Sequence, residues 1–129
     1  MTRSAIPFAA IAAATCAACT PVEYEPEPIA GLSTERQCFF TREINGYSDA
    51  PDGERGDRIY ISTGPRERWL FETFGSCPEL DWSNQVALDT RSMSNICTGD
   101  TATLIVPRSI GNQPDRCSVR LLGKMEDVR

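Results

Sequence analysis

After an unbroken apolar run over residues 5–14 (AIPFAAIAAA), the hydrophobic positions of this chain recur with period two, in short bursts. Such alternation sets apolar side chains on one face of a strand and polar ones on the other. In residues 58–63, Ile59 and Ile61 oppose Arg58, Tyr60 and Ser62. In residues 68–74, Trp69 and Phe71 oppose Leu70 and Phe74. In residues 117–122, Cys117, Val119 and Leu121 oppose Ser118, Arg120 and Leu122. Residues 37–41 are short, aromatic and strand-like, and residues 101–106 form a further strand ended by Pro107. Asn45-Gly46 is a turn signal because both residues tolerate positive φ. Residues 48–56 (SDAPDGERG) and 109–116 read as loops, and Gly64-Pro65 separates two strands by a hairpin-length gap. Ser76 and Glu79 have capping-box spacing, which predicts one helical turn starting at Cys77-Pro78. Residues 86–88 fit either a continuation of that helix or a short strand. The expected fold is mainly β (α+β), a small antiparallel sheet or partly closed barrel of about five short strands with one short helix.

The apolar run belongs to an address rather than to that fold. A membrane-spanning helix needs about 20 apolar residues, and residues 5–14 fall short of it. They have the length of a signal-peptide core, follow Arg3, and precede small residues and two cysteines (ATCAACT). This predicts a lipoprotein signal over residues 1–18 with lipid on Cys19. Cys16 is the alternative lipidation site, and plain secretion with cleavage near Ala18 is the ordinary one. The C-A-A-C spacing matches a redox motif, but its place in a leader argues against that role. Residues 19–34 read as an acidic, proline-rich tether: Pro21, Pro26 and Pro28 favour extended geometry, and Glu23, Glu25 and Glu27 repel one another. A single domain follows over residues 35–125, with a tail at 126–129.

Four cysteines fall inside the domain: Cys38, Cys77, Cys97 and Cys117. None has the close spacing of a zinc knuckle, and an exported chain meets an oxidising compartment, so disulfides are expected in place of a metal. Three pairings are possible. Cys77–Cys97 with Cys38–Cys117 is favoured, since Cys77 and Cys97 bracket one loop excursion while Cys38 and Cys117 begin the first and last strands of a curling sheet. Cys38–Cys77 with Cys97–Cys117, and Cys38–Cys97 with Cys77–Cys117, stay open.

Charge narrows the chemistry. The formal net charge is −5, there is no histidine, and Lys124 is the only lysine. Lack of histidine removes Ser-His-Asp and Cys-His catalysis and most zinc and copper sites. An acidic chain lacks the basic stripe that nucleic-acid binding requires. Asp49, Asp52, Glu54 and Asp57 do not have the spacing of a calcium loop and read as a solvated acidic segment. Arg55-Gly56-Asp57 matches an adhesion tripeptide, a pattern short enough to arise by chance. Glu72, Asp81 and Asp100 would serve a glycan hydrolase if two of them faced each other at about 5–9 Å; their ordinary roles are a strand-edge position or an arginine pair for Glu72 and a turn cap for Asp100. Trp69, Trp82, Tyr47 and Tyr60 either line a ligand face or fill the core. No catalytic residue, metal ligand or cofactor is expected.

The pattern Cys38…Ile44-Asn45-Gly46-Tyr47, residues 57–61, Phe71…Cys77-Pro78-Glu79-Leu80, Ile96-Cys97-Thr98-Gly99-Asp100 and Cys117-Ser118-Val119 resembles a domain-of-unknown-function family of small exported proteins of Gram-negative bacteria. The resemblance implies a β-rich, periplasm-facing, lipoprotein-like domain, and carries no catalytic or binding residues. Ala102 departs from it, standing where a larger aliphatic is expected. The expectation is a non-enzymatic envelope lipoprotein, lipid-anchored to the outer membrane and facing the periplasm, structural or binding an envelope protein or glycan. The alternatives are a small inhibitor or binder of a cell-wall enzyme or glycan, and a carboxylate-based hydrolase.

Overall fold

The computed structural model describes Cys19 and residues 28–81, 83, 85–91 and 93–126. The alternating apolar positions meet on one side of a curled sheet. Ile59, Ile61, Trp69, Phe71, Leu104, Val106, Val119 and Leu121 are buried in one cluster. The described residues form eight strands, β1 (Cys38–Phe40), β2 (Gly46–Ala50), β3 (Arg58–Ser62), β4 (Arg68–Thr73), β5 (Ala87–Asp89), β6 (Asn95–Cys97), β7 (Thr101–Val106) and β8 (Asp115–Lys124), and β3, β4, β7 and β8 carry those side chains. Six form an antiparallel half-barrel in the order β2-β3-β4-β8-β7-β5, and β1 and β6 form a separate two-stranded sheet.

β8 is the hub because it is long enough, at 10 residues, to serve two neighbours at staggered heights. It pairs with β7 from Asp115 to Arg120 and with β4 from Val119 to Lys124. The register shifts between Leu70 and Phe71, so that Leu122 is the additional residue on β8. A bulge of this kind bends its strand and increases local twist, which helps the sheet curl. The small sheet fills the concave side: Phe39 of β1 and Ile96 of β6 join the core, with the Phe39 ring 4.7 Å from Trp69 and 6.3 Å from Phe71. Each such buried aromatic or aliphatic side chain contributes about 1.5–3 kcal/mol.

Several expectations are corrected. The disulfides join Cys38 to Cys97 and Cys77 to Cys117, not Cys77 to Cys97 and Cys38 to Cys117. The reason is topological. β1 does not lie beside the last strand; it pairs with β6, which sets Cys38 directly opposite Cys97. The helical turn predicted at Cys77-Pro78 is a reverse turn instead, with the Leu80 N–H donating to the Cys77 carbonyl. Among the described residues the one helical segment is a 3-10 turn over Thr41–Glu43. The start of the acidic loop is an edge strand, β2. Of residues 86–88, Ala87 and Leu88 are strand, in β5, and Val86 precedes it. Residues 101–106 are a strand despite Ala102, which is buried. The structured domain also reaches back into the segment expected as tether: Leu32 bridges Met125, and the Ser33 N–H donates to the Lys124 carbonyl. Residues 1–18 with Cys16, residues 20–27, Trp82 and residues 127–129 lie outside the described residues.

Candidate binding surface

Two of the three acidic side chains that suggested hydrolysis, Glu72 and Asp100, are held in structural bonds. Glu72 Oε2 accepts from Arg58 Nε at 2.7 Å, and both side chains are only 9% exposed. That pair lies across β3 and β4, whose register sets Arg58 opposite Glu72. Gly53 packs against both of its members, so the loop between β2 and β3 closes over the pair. Gly56 anchors the same loop against Thr73, where an added Cβ would stand 2.1 Å from the Thr73 carbonyl oxygen. Asp57 Oδ2 accepts from the Cys77 N–H at 2.9 Å, which turns the last residue of the Arg55-Gly56-Asp57 tripeptide inward. Asp100 Oδ2 accepts from the Cys97 N–H at 2.9 Å and caps the β6–β7 turn. Asp81 is exposed. Arg108 pairs with Asp115 across the β7–β8 loop, and that hydrogen bond and charge raise the guanidinium further above its ordinary range. Among the described residues, no three His, Cys, Asp or Glu side chains gather to hold a metal ion.

The aromatic candidates divide. Trp69 is core, and its indole N–H donates to Thr63 Oγ1 at 3.0 Å. Tyr60 lies on the convex face beneath the Arg68 guanidinium, 4.8 Å from the ring centre. Tyr47 sits at the seam of the half-barrel, where the edge strands β2 and β5 approach each other. Its hydroxyl donates to the Ser83 carbonyl, and it shares an apolar groove of about 490 Å³ with Ile44, Ile61, Val86 and Leu88.

A surface the sequence did not single out lies on the convex face of β5, β7 and β8. Residues facing away from the core there are Ser118 and Arg120 on β8 and Thr101 and Thr103 on β7, in cross-strand pairs Thr101–Arg120 and Thr103–Ser118. Phe74, which follows β4 and is 54% exposed, forms one wall of a shallow depression of about 390 Å³. The Arg120 guanidinium stands 4.9 Å from the centre of its ring. Thr90, Arg91 and Met93 line the same depression. They belong to a tight turn in which the Met93 N–H donates to the Thr90 carbonyl and Thr90 Oγ1 donates to the Met93 carbonyl. Arg91 occupies the left-handed region, at φ 51°. Its N–H is held by Asp89 Oδ1 at 2.9 Å. For a residue other than glycine this conformation costs about 1–2 kcal/mol, and the turn's hydrogen bonds hold it there. The signal available in sequence was the alternation of Thr101, Thr103, Ser118 and Arg120, which reads as an ordinary solvated face until Phe74 and Arg91 are brought to its borders.

Comparison with known proteins gives one match. A family model, described as a family of unknown function (DUF6491), matches residues 1–129. No curated protein and no solved structure matches the chain.

Proposed function

The chain belongs to that family of unknown function, and we propose that it is an exported, lipid-anchored envelope protein of a Gram-negative bacterium whose domain binds a partner and catalyses no reaction. The observation that carries this reading is the division of labour among the cysteines. The four in the domain close into two disulfides, while Cys19 is exposed and free. Disulfides persist in oxidising compartments, which supports export. A free cysteine placed after a short apolar run and small residues supports lipid attachment there. Acyl chains contribute about 0.8 kcal/mol per buried CH₂, enough in a multiply acylated cysteine to hold a small domain at a membrane. Among the described residues no helix is long and apolar enough to cross a membrane. The absence of catalysis is supported by the bonds that occupy Glu72, Asp57 and Asp100.

The test is fractionation of cells expressing the wild type and Cys19→Ser. The wild type is expected in the membrane fraction, and the variant is expected as unprocessed precursor or in the soluble fraction. A Cys19→Ser variant that is processed and remains membrane-bound overturns the anchor. Turnover of peptidoglycan by the purified protein, abolished by Glu72→Gln or Asp100→Asn, overturns the absence of catalysis.

A further inference from the structure

We propose that the convex face of β5, β7 and β8 binds a carboxylate-bearing saccharide, with Phe74 as the platform for a sugar ring and Arg91 and Arg120 as the carboxylate-reading groups. This rests on the reading of the protein as a binding domain and names the class of its ligand. Three observations converge. The first is charge. The chain carries a formal net charge of −5, yet this face presents Arg91 and Arg120, with Arg116 further along β8. Among the described residues none of the three guanidinium groups pairs with a carboxylate. Three carboxylates that border them are engaged: Glu72, opposite Arg120 in the sheet, with Arg58; Asp89 with the Arg91 N–H; and Asp115, beside Arg116 in the chain, with Arg108. A planar guanidinium matches a carboxylate bidentately.

The second observation is the hydroxyl row. The side chains of Thr101, Thr103 and Ser118 have no hydrogen-bond partner within the described protein, and all three line the depression with Phe74 and Arg91. A hydroxyl both donates and accepts, as a sugar hydroxyl does, so the two sets satisfy each other without fixed polarity. The third is the platform. An exposed aromatic ring flanked by polar groups suits the C–H face of a pyranose, and the Arg120 guanidinium, which stands over the Phe74 ring, sets a cation beside it. An apolar protein partner or an acyl chain would leave the three hydroxyls and two guanidiniums buried and unpaired, which is costly. Arg91 adds a structural sign: its backbone is held in the left-handed region with the side chain at the rim of the depression.

The experiment is isothermal titration of the full-length protein in detergent micelles with three probes: an oligogalacturonate, a neutral chito-oligosaccharide of the same length, and a polyglutamate peptide of matched charge. Saturable binding is expected for the oligogalacturonate alone, weakening as salt is raised. Arg120→Gln and Phe74→Ala should each weaken it by about tenfold or more, the scale of one lost charge-assisted contact. Arg91→Gly should weaken it by a similar factor while thermal stability holds or rises, because glycine relieves the left-handed backbone. That pairing of outcomes separates a lost ligand contact from a damaged fold. No saturable oligogalacturonate binding, binding unchanged in all three variants, or equal binding of either control probe overturns the proposal. Membrane attachment through Cys19 is read by a different measurement, so failure here is distinguishable from failure of the envelope reading.

Discussion

The side chain that best shows how this domain uses its charges is Glu72. It lies on a strand whose residues 69–73 are all buried, where a carboxylate would be costly without a partner. Arg58, one strand away, supplies the partner, and the loop around Gly53 closes over both. Removing one member of a buried pair leaves the other charge uncompensated, typically at about 3–5 kcal/mol. Glu72→Gln is therefore expected to lower the urea midpoint sharply. The double change Glu72→Leu with Arg58→Met should recover much of the loss, since apolar pairs of similar volume often replace buried ion pairs without penalty. A Glu72→Gln variant as stable as wild type would show that the pair is not buried as described. In sequence Glu72 reads as either a strand-edge residue or an arginine partner; many arginines are available, and only strand register selects Arg58. Asp100 was legible as a cap from its place beside Thr98-Gly99. Asp57 was not, because its partner, the Cys77 N–H, is 20 residues away.

Among the elements, β3, β7 and β8 were legible because each buries one face and exposes the other, which writes itself as period two; β4 was legible from its aromatic run, since residues 69–73 are all buried. β2, with the sequence GYSDA, was not legible. It is an edge strand with little buried surface, so only Tyr47 among its residues is a large apolar side chain. β6 has three residues, too short for any period to show. Missing β6 decided the disulfide question, since without it Cys38 had no neighbour but an imagined last strand. With β6 present, Cys38 and Cys97 are cross-strand partners closing 59 residues of chain, and Cys77–Cys117 closes 40. Loop-closure entropy puts each bond at about 4 kcal/mol, a large share of the roughly 5–15 kcal/mol that stabilises a typical domain. Cys38→Ala with Cys97→Ala is expected to detach the small sheet first, exposing Phe39 and Ile96 and lowering the melting temperature steeply. An unchanged melting temperature would contradict the role assigned to that bond.

At the scale of the whole molecule, two sheets and two cross-links hold one core, with the N-terminal segment laid along the end of β8. Leu32 and Ser33 join the sheet beside Met125 and Lys124. The proposed anchor at Cys19 thus connects through a short segment to the hub strand. On the proposed reading, the chain leads from a membrane to a rigid body whose convex face is free to meet a ligand. The measurement that tests this most directly is mass spectrometry of the full-length protein isolated from membranes without reduction, alkylated, and then digested. The account predicts an N-terminal peptide beginning at Cys19 and carrying lipid, together with peptides joined Cys38 to Cys97 and Cys77 to Cys117. An unmodified Cys19, or alkylated thiols at the four domain cysteines, would contradict it.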